Sequence, residues 1–396
     1  MVVAFALLAA VPAISPQRFK IGYYGPVALA KNSAHGEVIV ATNTEVVTVD
    51  EDGLAVSKSL PVSGGGGSVV AISDDGTFVA VGPDDGAVDV FKFDSEGYGV
   101  ATSLSGGSIA FGTSLSLSGN GSVLVVGAPS DFPFADVYEW NGSAYNARST
   151  HSGAADSLFG TSVSVSADGS RFVVGAPDYD GDEGAAFVYE YNASAGTPAQ
   201  LGDALELVVS GLSMDLGAVV RMSSDGNVVL AIEVSDTYAF VWNDTAWSEP
   251  TEVFDHRDGD VTLPVKVALS GDGTLAARVT HYFNPTIEIK NLTTGVVEAV
   301  SEWSGWSGNY MDDISVDLNY DGTVMVIAAL GEIRAYHRDD AGSWDLTDPT
   351  APTTAAPTTA AGAESNAESN AESDGLSDAS IAGIVAASVA VAAALG

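Results

Sequence analysis

Apolar and small polar residues alternate with a period of two over most of the chain. TSVSVS (161–166), RFVVGA (171–176) and AAFVYEY (185–191) are three such runs, divided by Ala167-Asp168-Gly169 and by the acidic loop DYDGDEG. Period two is the signature of a half-buried strand. The Asp-Gly pair supplies a tight turn, because Gly accepts positive φ and Asp bonds its own backbone two residues on. The same succession recurs along the chain. Before a turn stand PVALA, SVVAIS, TSLSLS, TSVSVS, AVVRMS, VKVALS and DISVDL; after it come EVIVAT, FVAVGP, VLVVGAP, RFVVGAP, VVLAIE, LAARVT and VMVIAA. The turn glycines are Gly36, Gly76, Gly121, Gly169, Gly226, Gly273 and Gly322, spaced 40 to 57 residues apart.

Third strands follow, among them AVDVFKF, ADVYEW and IEIK, and then weaker fourth strands such as YGVATSL, ALELVV (204–209) and SWDLTD (343–348). Weak fourth strands suit an outer edge. Four short strands per unit of this length make a propeller blade. The expected fold is therefore all-β: a seven-bladed β-propeller of four-stranded antiparallel blades over residues 16–348, with a disordered C-terminal stalk. Phe19–Tyr24 is expected to add a strand that helps close the ring. A helical solenoid would need apolar spacings of three and four, which are absent.

The chain ends differ from this pattern. Residues 1–15 open with the apolar run Val2–Val11 and small residues at Ala13 and Ser15. The run is too short to span a bilayer and reads as a secretory signal, although no basic residue precedes it; the alternative is a buried N-terminal strand. Residues 349–380 are rich in Pro, Thr, Ala and Ser and read as a stalk open to O-glycans, or as an unmodified disordered tail. Residues 381–396 are uncharged and span about 24 Å as a helix, short of a bilayer core of about 30 Å. With small residues and a polar spacer before it, this end fits a GPI-attachment signal, with Ser369 as the attachment residue and Ser373 as runner-up. A transmembrane segment is the alternative.

Composition narrows the function. The chain carries 52 acidic and 14 basic residues, a net charge of −38, which argues against a nucleic-acid partner. It has no cysteine, so disulfides and thiolate metal sites are excluded. The five histidines are scattered over different repeats, and no nucleophile motif is visible.

Phe159-Gly160 followed by Gly175-Ala176-Pro177, and Phe111-Gly112 followed by Gly127-Ala128-Pro129, resemble the FG-GAP repeat, the blade unit of the integrin α-chain propeller. Gly82-Pro83 is a partial match. The resemblance implies a propeller that recognises ligands at a cell surface. Blades of that family often hold calcium between their first two strands. Here that loop is a tight turn with too few oxygens for calcium, so the family's site is not carried over.

In an up-and-down blade the first-to-second and third-to-fourth turns share one face, and the other loops share the opposite face. The N-x-Ser/Thr sequons at Asn120, Asn141, Asn192, Asn243 and Asn291 all map to the first face and are candidate N-glycosylation sites. The alternative is that Asn serves only as a turn residue. The sequon-free face collects the longer loops, with Phe132, Phe134, Tyr179, His256, Tyr282, Phe283, Trp303, Trp306 and Tyr310 as candidate ligand contacts. Each aromatic has a second role open to it, as an inward loop anchor. Asp178, Asp180, Asp182 and Glu183 are candidate ligands for one Ca2+; a solvated turn is the alternative. No cofactor is required by this reading.

The sequence thus suggests a monomeric, non-catalytic recognition or adhesion protein on the outer cell surface, binding a glycan or a protein. Two alternatives stand beside it: a surface hydrolase or lyase using His256 or His281 with carboxylates, and an acidic structural component of a wall or matrix.

Overall fold

The computed structural model describes residues 17–20, 27–30, 38–42, 45–49, 55–60, 69–82, 86–94, 97–191, 197–207, 215–233, 236–255, 265–280, 286–302, 314–329, 332–339, 341–344 and 346. The described chain is a β-propeller. Six four-stranded antiparallel blades each take four consecutive strands. A further sheet joins three late strands, Ser315–Leu318, Val324–Ala329 and Glu332–His337, to the N-terminal strand Gln17–Lys20. Its inner strand touches the inner strands on both sides, and Leu29 N–H of the first blade donates to Asp317 Oδ2 at 3.1 Å, so the sheets close a ring.

Burial grades outward from the axis. The second strands Phe78–Gly82 and Val123–Ala128 are buried along their whole length, because a neighbouring blade covers each side. Third strands alternate, as in Ala87–Phe93, and the outer strand Tyr98–Ser105 is mostly wet. The core therefore lies in layers between blades. Phe78, Val88, Phe111, Leu124, Tyr138 and Tyr145 form one such layer between the second and third blades.

The recurrent turn has one construction. In Ser166-Ala167-Asp168-Gly169, the Ser166 Oγ donates to Asp168 Oδ1 and accepts from Arg171 N–H, while Asp168 Oδ1 also accepts from Ser170 N–H. Gly169 sits at φ 70°, where a Cβ would be strained. The same bonds recur in the turns at Asp75, Asn120, Asp225 and Asp272; at Asp321 the two backbone bonds recur, with Asn319 Oδ1 accepting from Val324 N–H, while Asn319 Nδ2 donates to Thr323 Oγ1. These turns are also linked to one another. Asp75, Gly119, Ala167, Ser224 and Gly271 each donate a backbone N–H to the next turn round the ring, ending on Asn319 O. The expected turn at Gly36 lies outside the described residues.

The opposite end is held by glycine pairs. Phe159-Gly160 of the fourth blade seats against Gly127 of the third, and a Cβ on Gly127 would collide with Gly160 O. Gly82 meets Gly112 and Gly175 meets Gly217 in the same way. The Phe-Gly of one blade thus meets the Gly-Ala-Pro of the blade before it. Leu216-Gly217 takes the Phe-Gly role in the fifth blade, a substitution the sequence pattern did not flag.

Two outer strands differ from expectation. Gln17–Lys20, and not the expected 343–348, pairs with the outer edge of the last sheet; among the described residues of 343–348, Trp344 makes an isolated bridge with Arg338. Pairing Gln17–Lys20 with Glu332–Ala335 covers an edge of each strand. In the fourth blade the described outer strand is Pro198–Gln200, ahead of the expected 204–209, of which Leu205 is bridged separately to Ala186. Pro198 lacks a donor, which an edge strand tolerates.

Candidate functional site

Hydrogen bonds sort the loops between the two faces. Trp140, Tyr191, Trp242 and Leu292, at the ends of third strands, donate backbone N–H groups to residues just after the Asp-Gly turns. Tyr98 Oη donates to Gly76 O at 2.5 Å, and Tyr145 Oη donates to Gly121 O. First-to-second and third-to-fourth turns therefore share a face. On the other side, Gly112 N–H donates to Gly127 O and Gly160 N–H to Gly175 O, which places the crossovers beside the second-to-third loops.

Asn120, Asn141, Asn243 and Asn291 lie on the turn face; Asn192 lies outside the described residues. Each of the four is also a working turn residue. Asn141 Oδ1 accepts from Ser143 and Ala144 N–H, and Asn243 Oδ1 from Thr245 and Ala246 N–H. Asn120, Asn141 and Asn243 are exposed. Asn291 is half-buried, and its Nδ2 donates to Glu298 Oε1 at 3.1 Å.

On the opposite face the second-to-third loop of the third blade holds an open groove of about 450 Å3. Phe132 stands at its rim with 85% of its surface exposed, one of the most exposed large apolar side chains described. Pro133 and Phe134 continue the wall, with Asp136, Thr150 and Ser152 as its polar part. The groove is braced from beneath. Phe134 stacks on buried Phe111 at 6.5 Å, and Pro133 O accepts Gly153 N–H. Thr150 Oγ1 donates to Asp136 Oδ1 at 2.6 Å. The sequence-expected pair Phe132 and Phe134 is thus brought together. Ile109, 84% exposed in the crossover three residues beyond Gly106 of the groove, was missed. Its only signal was a large apolar residue among the small residues GGSIA before Phe111.

Tyr179 takes the inward role. Its ring meets Phe187 edge-on at 5.1 Å and anchors the acidic loop. That loop is a tight coil, with positive φ at Asp180, Gly181 and Asp182 and Gly184 N–H returning to Tyr179 O. Asp215 N–H donates to Asp182 O, so the crossover to the fifth blade lies against it. Among the described residues, no three acidic or histidine side chains form a group able to hold a metal ion, Asp178, Asp180, Asp182 and Glu183 included. The crowding of carboxylates shows instead in their protonation. Burial, followed by Asp182 and Asp215, raises the Asp178 carboxyl, and burial with Asp236 and Asp215 pushes Glu233 up to about 7.

Of the histidines, His151 is half-buried against Phe172 at 5.2 Å and Tyr189 at 4.5 Å, with Ser149 Oγ 3.1 Å from Nε2. Burial lowers its pKa and Asp136 partly opposes this; burial also lowers His337. His151 fills space between two blades. His256, His281, Tyr282, Phe283, Trp303, Trp306 and Tyr310 lie outside the described residues, as do 1–15 and the tail with Ser369 and Ser373. Among the described residues no helix is long and apolar enough to cross a membrane. No family model matches the chain, and no curated protein is detectably similar to it.

Proposed function

We propose that this protein is a non-catalytic recognition module that binds a glycan or protein through the propeller face opposite the sequons. The observation that carries the proposal is Phe132, 85% exposed beside a braced aromatic groove. Exposing a Phe to water forfeits about 1.5–3 kcal/mol of burial, so an open Phe132 ring beside a groove whose Phe134 stacks on buried Phe111 favours a surface built to be covered. Aromatic faces beside carboxylate and hydroxyl groups suit stacking on a sugar ring or gripping a peptide.

The finer parts of the proposal rest on sequence pattern. The glycine lock between blades supports an FG-GAP-like, seven-bladed ring with the composite sheet as its closing blade. The N-terminal apolar run and the hydrophobic end after a Pro/Thr-rich stalk support secretion and a lipid anchor. The sequons would then carry glycans on the face away from the ligand.

The test is a binding screen of the secreted protein against glycans and cell-surface proteins, with and without calcium, run beside Phe132→Ala. A specific hit should be lost in the variant while its melting temperature is unchanged. A blank screen on folded protein, or a hit insensitive to Phe132, would overturn the proposal. Release from cells by phosphatidylinositol-specific phospholipase tests the anchor.

A further inference from the structure

Serine hydroxyls cap part of the wall of the central channel, and two basic residues stand at equivalent positions. Each inner strand is a sheet edge, so its outward N–H groups need acceptors. Small hydroxyl residues of the preceding blade supply them. Ser116 Oγ accepts from Val165 N–H, Ser162 Oγ from Val220 N–H and Ser164 Oγ from Met222 N–H, at 3.0 to 3.1 Å. Aligned on the Asp-Gly turns, the position of Ser164 is filled by Ala71, Ser116, Arg221, Ala268 and Asp317 in other repeats. The position of Ser162 is filled by Val69, Ser114, Val219, Lys266 and Ser315.

Arg221 and Lys266 serve neither structural need. Neither is small and neither can accept a hydrogen bond. Both line the same cavity of about 390 Å3 on the axis, in a chain with only 14 basic residues. Taking a cation into such a channel is costly unless something answers it. The guanidinium spends one donor on Val220 O at 3.0 Å. Asp317 acts on it through space, but makes no ion pair with it among the described residues. Its Oδ2 already accepts Leu29 N–H and its Oδ1 accepts Leu318 N–H. Burial pulls the guanidinium pKa below its ordinary value and Asp317 only partly opposes this. Among the described residues, the guanidinium fork thus has one protein acceptor, Val220 O, and it borders the cavity.

We propose that the central channel binds a small oxyanion, a carboxylate or a phosphate, through Arg221 and Lys266. Arg matches a carboxylate or phosphate with two parallel N–H bonds, and Lys adds a point charge. Asp317 and Asp74, which also line the cavity, limit the occupant to low charge and favour one that carries donors as well. The site is separate from the Phe132 groove.

The test is saturable binding to the full-length secreted protein by calorimetry and thermal shift, using succinate and inorganic phosphate as probes. Succinamide and chloride at matched ionic strength are the controls. One or both oxyanions should bind at a single site and raise the melting temperature with the logarithm of concentration; which one does so identifies the source. Arg221→Gln should weaken that binding about 10- to 100-fold, and Arg221→Lys less. Lys266→Gln should also weaken it, and decides the matter if Arg221→Gln does not fold. No binding beyond that of chloride, or folded Arg221→Gln and Lys266→Gln variants that bind as well as the parent, would refute the proposal.

Discussion

Gly175→Ala probes the joint on which the ring depends. A Cβ at this position would stand 2.9 Å from Gly217 C and 3.2 Å from Gly217 Cα, with Gly217 O closer still. All three are backbone atoms, so no side chain can swing aside. Restoring ordinary carbon contacts of about 3.5–4.0 Å requires the fourth and fifth blades to part by roughly 1 Å. Overpacking of this kind costs about 1–3 kcal/mol, and the rigid backbone on both sides places Gly175→Ala near the upper end. For a propeller of roughly 330 residues, an unfolding entropy of about 2.1 cal/mol/K per residue converts 3 kcal/mol into a drop of about 4 °C. Gly99→Ala is the matched control. That site has nothing within 4 Å of the added carbon, and restricting the unfolded chain there should leave the melting temperature unchanged or slightly higher. Differential scanning calorimetry of the two variants decides the point. Equal melting temperatures would falsify the idea that the glycine pairs set the spacing between blades.

Three further outcomes follow from the same structure. Asp168→Ala removes the acceptor of Ser170 N–H and Ser166 Oγ and should cost about 1–2 kcal/mol by chemical denaturation. Burial pushes the Asp168 carboxyl up, but bonds from Ser170 and Ser166 outweigh it and hold the pKa below its ordinary value. Its stabilisation is therefore present above the unfolded pKa and lost as pH falls through the folded one, so Asp168→Asn should flatten the acid limb of a stability profile. Glu233 has the opposite sign: its folded pKa is raised to about 7 by burial and by Asp236 and Asp215. Stability from that carboxyl should fall as pH rises from about 4.5 through 7, and melting curves of Glu233→Gln should lack this slope. Deleting the residues up to Lys20 removes the edge partner of Glu332–Ala335, and should open the last sheet to limited proteolysis while the second to fifth blades stay protected.

Local signals carried much of this fold. The Asp-Gly turns were readable because each is closed within a handful of residues, as Ser166 and Asp168 show. Second strands such as Val123–Ala128 announced themselves by unbroken apolar character, which burial on both faces demands. The closing strand was less legible: QRFK has no feature that names its partner, which lies at the far end of the chain. Pro198–Gln200 escaped notice because three wet residues carry no apolar periodicity. Leu216-Gly217 was missed because the lock needs only the glycine and a buried apolar neighbour, not a phenylalanine. At the candidate groove, sequence placed Phe132 on the right loop. It could not separate Phe132, which points to water, from Tyr179, which points inward, because that difference lies in Phe187 on the next strand.

The composite sheet also sets a clock. Gln17–Lys20 is made before the other described strands, and its partner strand Glu332–His337 after them. At about 5–20 residues per second, the strand waits roughly 15 to 60 s for a mate. During that time the growing chain is an open arc with a free edge at each end, in a form prone to pair with other chains. Ring closure is therefore the natural checkpoint of biosynthesis. A chain that stops short of its last sheet leaves a known strand unpaired, and the order of synthesis makes completeness something a chaperone could detect by touch.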